Sequence, residues 1–227
     1  MTKNEELIQQ VLLEKGGMKQ DVFETSKVVF GWLKDIVKEL AVQLTDTVAS
    51  KDKRIEISVK EIGNNEIHLT CAGDILVFQA HSNVFKFEPS HALWQTGYLK
   101  EDPNRAFCGM IYMYNFLSDS IRYKRHNDLG YLVGRMFVNH EKHFFVEGKR
   151  RLGFLYNNFA TEELTKESLK EVLLSTILYT LDFDLFMPPY SEMSELSVYQ
   201  LNELRDFQSV KTGKRLGFKF SADTDEI

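Results

Sequence analysis

The apolar residues of this chain follow two different periods, and the changes of period predict where helices and strands lie. Residues 21–48 repeat apolar side chains at three- and four-residue steps with charged residues between them, which predicts a long amphipathic helix. Upstream, the apolar positions within residues 7–12 predict a short first helix. Gly16-Gly17 is expected to end that helix, because glycines commonly terminate helices.

The middle of the chain instead alternates apolar and polar residues, as strands do. Residues 55–60 and 67–71 alternate around Gly63-Asn64-Asn65, which predicts an antiparallel hairpin. Extended runs at 75–80 and 84–87 continue it into a meander. Segments rich in aromatic and branched residues predict further strands at 110–117, 131–138, 144–147 and 151–156.

Helical spacing returns over residues 165–186, with Thr165 and Ser168 as N-cap candidates before Pro188-Pro189. The grouped strands predict an α+β fold, a mostly antiparallel sheet flanked by two long amphipathic helices plus shorter helices. With only four prolines and no linker-like stretch, the chain is predicted to be a single domain over residues 1–227. Its parts are N-terminal helices at 1–50, a sheet region at 54–156, C-terminal helices at 163–209, including one at 194–207, and a frayed tail at 221–227.

Composition favours a cytoplasmic globular protein. Of the 227 residues, 43% are hydrophobic and 27% charged, and the N-terminus lacks the basic and apolar regions of a secretion signal. No apolar run approaches the roughly 20 residues of a membrane helix, so no membrane partner is expected. Cys71 and Cys108 are expected to be buried free thiols.

Basic residues cluster in three places although the net charge is −5. Guanidinium groups beside glycine turns can bind phosphate, so these clusters predict a ligand-binding surface for an anion if they converge in the fold. The alternative is that they keep strand edges solvated. The candidate residues are Arg122, Lys124, Arg125, Lys149, Arg150, Arg151, Lys214 and Arg215.

Asp128, Glu147 and Lys149 stand in an order that resembles the motif of the PD-(D/E)XK nucleases, over about twenty residues. The resemblance implies that the two carboxylates hold Mg²⁺ and that the lysine polarises the attacked phosphate. The motif departs from the family in having Asn127 rather than proline before Asp128. The alternative is a hairpin corner in which Gly148 has a positive φ.

No nucleophile elbow, phosphate-binding lysine loop or dinucleotide fingerprint occurs in the chain. The sequence therefore favours a non-catalytic cytoplasmic binding or regulatory module without a cofactor. The expected ligand is anionic, a nucleotide or nucleic acid, or else a partner protein, and a homodimer through a helix face is also considered. The alternative function is a Mg²⁺-dependent nuclease.

Overall fold

A computed structural model of the protein describes residues 2–126, 128–149 and 151–184, together with residues 187, 190–192, 194–195 and 197–198. This part has the predicted α+β fold with an antiparallel sheet. Most of the helix predicted at 194–207 and all of the tail at 221–227 lie outside the described residues. The single domain over residues 1–227 stays a prediction.

The chain begins with one continuous helical segment. It consists of α1 (Lys3–Val11), a π-helical turn (Leu12–Gly16), α2 (Gly17–Leu44) and a second π-helical turn (Thr45–Ala49). The prediction that a helix ends at Gly16-Gly17 is therefore wrong. Both glycines have right-handed helical backbone angles. A glycine inside a helix lowers helix stability by only about 1 kcal/mol relative to alanine. The helical residues on both sides are therefore sufficient to continue the helix through these two positions.

Within the described residues, seven strands form one antiparallel sheet, in the order β1-β2-β3-β5-β6-β7 with β4 paired to β5. The predicted hairpin is confirmed, and Gly63 supplies the positive φ, 62°, at its turn. The run at 75–80 continues it as predicted, but the run at 84–87 does not extend the meander, because β4 pairs with β5 rather than with β3. The strands are β1 (Ile57–Ile62), β2 (Glu66–Cys71), β3 (Asp74–Ala80), β4 (Phe85–Lys86), β5 (Phe107–Leu117), β6 (Tyr131–Val138) and β7 (Phe144–Gly148).

Helices α2 and α6 (Lys166–Leu181) share an apolar core with one face of this sheet. As predicted, Thr165 caps α6, its side chain accepting a hydrogen bond from the Ser168 backbone N–H at 3.1 Å. Helix α2 lies very close to the centre of the sheet, because an ideal Cβ on Gly109 would lie only 1.8 Å from Ser26 Oγ. Glycine at this position allows the helix and strand to approach.

A connection of short helices covers part of the opposite face. It contains 3-10 turns at Ala92–Gln95 and Pro103–Ala106 and the short helix α3 (Gly97–Glu101). Beneath it lies an aromatic cluster, in which the Phe137 and Phe145 rings stack with centroids 4.7 Å apart. Through this cluster the connection packs against β5, β6 and β7.

The strand predicted at 151–156 is wrong, because the chain forms helix α5 (Arg151–Leu155) there. The hairpin corner expected at Gly148 is also wrong, since Gly148 belongs to β7 and does not have a positive φ. Its role is close packing, because a Cβ on Gly148 would lie 2.7 Å from Leu152 Cβ. A Cβ on Gly153 would similarly lie 2.3 Å from the Gly148 carbonyl oxygen.

His68 stands between the apolar residues Ile67 and Leu69, and this alternation predicts a side chain that faces solvent, which is wrong. The residue is buried, and its Nε2 lies 2.7 Å from Glu66 Oε1. Its cross-strand neighbour Val77, on the same face of the sheet, is buried as well. Alternation along β2 correctly separated two faces, but both faces are covered at this point.

Candidate protein-interaction site

Several exposed apolar side chains of the described residues lie together on the N-terminal helix. Its side chains Leu7, Ile8, Val11 and Leu12, here called the apolar stripe, are 48% to 65% exposed. At about 100° per residue they cover an arc of about 140° on one side of the helix. Leu13 is also exposed but lies outside this arc. An apolar arc of this width is what a helix normally buries.

The helix extends beyond the body of the protein. No residue of α1 is buried, and the first buried residue in the described part of the chain is Met18. At 1.5 Å per residue, the segment from Lys3 to Gly16 therefore projects over about 20 Å. The apolar stripe is thus accessible along its whole length.

Local sequence accounts for the helical state of this exposed segment. Thr2 and Glu5 form a capping box, in which the Thr2 backbone N–H donates to Glu5 Oε2 at 2.6 Å and the Glu5 backbone N–H donates to Thr2 Oγ1 at 3.4 Å. At its C-terminal end the segment continues into α2, so it avoids the unfavourable step of nucleating a separate helix. A short helix can therefore persist without burying a side chain.

Charged side chains border the apolar stripe. On the helical arrangement, Lys3 and Glu14 lie along the edge next to Leu7, at opposite ends of the stripe. Glu5 lies along the other edge. Three acidic and two basic side chains occur between Lys3 and Lys15, so the segment is close to neutral. Helices that lie on anionic membranes instead carry a strongly basic polar face.

A second candidate is a polar network at the β6–β7 turn. Tyr98 O–H donates to Glu141 Oε2 at 2.5 Å, and Arg105 Nε donates to Glu141 Oε1 at 3.2 Å. Asn139 Nδ2 donates to Tyr98 Oη at 2.7 Å, and His143 stacks on the Tyr98 ring with centroids 4.5 Å apart. The residues come from α3, the following 3-10 turn and the hairpin turn.

The pKa shifts in this network indicate a structural role. Burial, reinforced by the hydrogen bond to Glu141, raises the pKa of Tyr98 well above its ordinary value. Burial alone would raise the pKa of Glu141, but hydrogen bonds from Tyr98 and Arg105 outweigh it and lower that pKa. The phenol therefore stays protonated and the carboxylate ionised. The network binds the covering connection to the turn, and its groups are already engaged with one another.

The first predicted basic cluster follows helix α4 (Ser118–Arg122). Arg122 forms a surface ion pair with Glu56, and Lys124 is exposed. The Arg125 side chain is only 6% exposed and its Nη1 lies 3.6 Å from Oδ2 of Asp128. Two of the three cations are thus already opposite a carboxylate.

The second predicted cluster follows β7. Lys149 is exposed, and Arg151 begins α5. Because β5 and β7 end where β6 begins, the first and second clusters lie at the same end of the sheet. Arg150, Lys214 and Arg215 lie outside the described residues.

The two carboxylates of the nuclease hypothesis have separate partners. The Asp128 side chain is 1% exposed and accepts a hydrogen bond from Ser120 Oγ at 2.7 Å. Glu147 accepts one from Arg135 Nε at 2.6 Å, across the β6–β7 pair. Within the part of the chain that is described, no three His, Cys, Asp or Glu side chains are grouped as metal ligands.

The cysteines are buried free thiols, as predicted. Burial, with a smaller contribution from Asp74, raises the pKa of Cys71 to about 11. Burial also raises the pKa of Cys108 well above its ordinary value. Neither thiol is therefore a ready nucleophile at neutral pH.

Among the described helices, none combines the length and apolar character needed to cross a membrane.

The apolar spacing of α1 predicts a helix but by itself indicates no function. A usable signal was present, since the capping residues and the apolar stripe together describe a complete amphipathic helix. What the spacing could not provide is exposure, because the same pattern is typical of a helix packed on its own domain.

Comparison of the chain with protein-family models, with curated proteins and with solved structures finds no match in any of the three.

Proposed function

We propose that this protein is a non-catalytic binding module that holds a partner protein on the apolar stripe of α1. The observation that carries the proposal is the exposure of Leu7, Ile8, Val11 and Leu12 on a helix with no buried residue. A contiguous exposed apolar surface bordered by polar residues is characteristic of protein interfaces. Helices with such a stripe bind apolar grooves or other amphipathic helices.

A protein partner is favoured over an anionic ligand by the pairing of the predicted cations. Arg122 and Arg125 have carboxylate partners, and an anion would have to compete with Glu56 and Asp128 for them. The nuclease alternative requires Asp128 to reach a hydrated metal, yet its side chain is almost fully buried. No feature of the described residues favours that alternative.

The proposal is tested by photocrosslinking in cells. A benzophenone side chain replaces Leu12 in the stripe or, as the matched control, Glu6 on the opposite side of α1. We expect a covalent adduct from position 12, little from position 6, and loss of the adduct when Leu7→Asp is added. Because Leu7 is 57% exposed, Leu7→Asp should leave the thermal unfolding temperature almost unchanged.

Equal adduct yields at positions 12 and 6, or no adduct at position 12, would overturn the proposal. The mass of the adduct also tells whether the partner is a different protein or a second copy of this chain.

A further inference from the structure

The two outer strands of the sheet differ in how their edges are used. The outer edge of β7 is covered by the chain itself, because the Val146 N–H donates to the Tyr156 carbonyl oxygen at 2.9 Å. β1 lies at the other end of the strand order and pairs with β2 alone. Over the described residues, no backbone hydrogen bond reaches the outer edge of β1. An open edge of this kind is able to pair with another strand.

The register of the β1–β2 hairpin identifies which backbone groups of β1 are open. The Ala72 N–H donates to the Glu56 carbonyl oxygen at 2.8 Å, so these two residues form a hydrogen-bonded pair. Hydrogen-bonded and non-hydrogen-bonded pairs alternate along antiparallel strands. In the observed register, Ile57, Val59 and Glu61 therefore turn their N–H and C=O groups away from β2 and toward the open edge.

An apolar groove runs beside this open edge. It has a volume of about 400 Å³ and lies between the C-terminal part of α2 and β1. On the helix it is lined by Val42, which is 61% exposed. On the strand it is lined by Ile57 and Val59, which pack against the core that α2 shares with the sheet. A strand added to β1 would place every second side chain at this groove, because successive side chains point to opposite faces.

The two ends of the groove have opposite charge. Lys34 Nζ lies 3.0 Å from Glu61 Oε2 and Lys38 Nζ lies 2.5 Å from Glu61 Oε1, so two lysines share one carboxylate and this end is positive. Asp46 lines the groove about 12 Å further along the helical segment than Lys38. Ile57 lies about 13 Å along β1 from Glu61, so Asp46 and Ile57 mark the negative end.

We infer that the open edge of β1 binds an extended peptide segment of another protein, which adds a strand to the sheet. The charges specify the side chains that face the groove: basic beside Asp46, apolar beside Val59 and acidic beside the two lysines. Antiparallel pairing is the more stable kind, and in that direction the segment reads acidic–x–apolar–x–basic from its N-terminus. This site is separate from the apolar stripe and does not depend on the function proposed for the stripe.

A second copy of β1 fits the same edge less well. The two symmetric antiparallel registers with the longest overlap are centred on Val59 and on Lys60. The first places Glu61 of each copy at the level of Ile57 and Asp46 of the other copy, at the negative end of the groove. The second places the two Lys60 side chains directly opposite each other. Like charges in these positions are destabilising, so charge complementarity favours a different segment.

Fluorescence anisotropy with the full chain and a labelled peptide, Thr-Glu-Thr-Val-Thr-Lys-Thr, tests the inference. Because a single short strand makes a small interface, we expect a dissociation constant on the order of 100 μM. The control peptide has its glutamate and lysine exchanged, and it should bind about fivefold more weakly, because both surface charge pairs become unfavourable. Absence of binding at about 1 mM peptide, or tighter binding of the exchanged peptide, would overturn the inference.

N-methylation of the peptide tests for strand addition itself. The peptide valine faces Val59 in a hydrogen-bonded pair, so methylating its nitrogen should abolish binding. The nitrogen of the adjacent threonine points away from β1, so methylation there should have little effect. Equal effects at the two nitrogens would show that the peptide does not extend the sheet.

Protein variants test the groove. Val42→Asp places a charge in the apolar wall and should weaken peptide binding by about tenfold or more. Val28→Asp is the matched control, because Val28 is 50% exposed on the same helix but does not line the groove, and it should bind as the wild type does. Equal binding by the two variants would contradict the inference.

Sedimentation equilibrium of the full chain distinguishes a second copy from a peptide partner. We expect the mass to stay at 26.4 kDa as concentration rises. A mass that rises toward that of a dimer in the wild type, but not in Val42→Asp, would overturn the inference in favour of pairing between two copies of β1.

Discussion

The packing of α2 on the sheet makes Leu33→Ala the clearest test of the fold. Leu33 is 1% exposed and lies in the core cluster shared by α2, α6 and the sheet. Removing a buried leucine side chain costs about 2.7–5.0 kcal/mol, depending on how far the surroundings relax into the cavity. The Ser26–Gly109 contact, about 10 Å along the same helix, prevents α2 from moving closer to the sheet.

Because the cavity cannot close, we expect a loss in the middle or upper part of that range, about 3–5 kcal/mol of unfolding free energy. Urea unfolding at 25 °C, followed by circular dichroism, measures it. Val42→Ala on the same helix is the control, because Val42 is 61% exposed and its truncation should change stability by no more than about 0.5 kcal/mol. A Leu33→Ala loss below about 1 kcal/mol would refute the packing argument.

Three further predictions concern close contacts. Gly109→Ala should destabilise the protein by about 1–3 kcal/mol in the same urea assay, because its Cβ would collide with Ser26, and Ser26→Gly should recover part of the loss. If Ser26→Gly gives no recovery, the collision is not the cause. Asp128→Ala should cost about 3–5 kcal/mol, because it leaves the buried Arg125 without this carboxylate, and a near-neutral result would contradict the burial of the pair. The lowered pKa of Glu141 means that its ionised form stabilises the fold above the ordinary carboxyl pKa, and that this contribution is lost as pH falls through the lowered value. The stability difference between wild type and Glu141→Gln should therefore shrink in acid, and a difference that is constant with pH would contradict this assignment.

Local patterns in the sequence were sufficient for most of the regular elements. The 3.6-residue period predicted the buried face of α2, and alternation predicted the β1–β2 hairpin. Thr165 marked the start of α6, because a capping hydrogen bond involves only neighbouring residues. In each case the interactions that determine the element lie within a few residues or on one continuous face.

Tertiary structure decided the points at which distant segments meet. Residues 151–155 form a helix where Gly148 and Gly153 pack together, although the aromatic and branched composition predicted a strand. The charge of Arg122 is balanced by Glu56, and five strands lie between these two residues in the sequence. Neither contact can be predicted from the pattern of neighbouring residues in the sequence.

The same distinction applies to the candidate interaction site. The spacing of Leu7, Ile8, Val11 and Leu12 determined an amphipathic helix, but it did not determine whether the apolar side would be covered. Exposure depends on where the rest of the chain packs, and helix α2 turns its buried face to the sheet only from Met18 onward. The sequence by itself therefore determined the apolar stripe, whereas the tertiary structure left it outside the core and available to a partner.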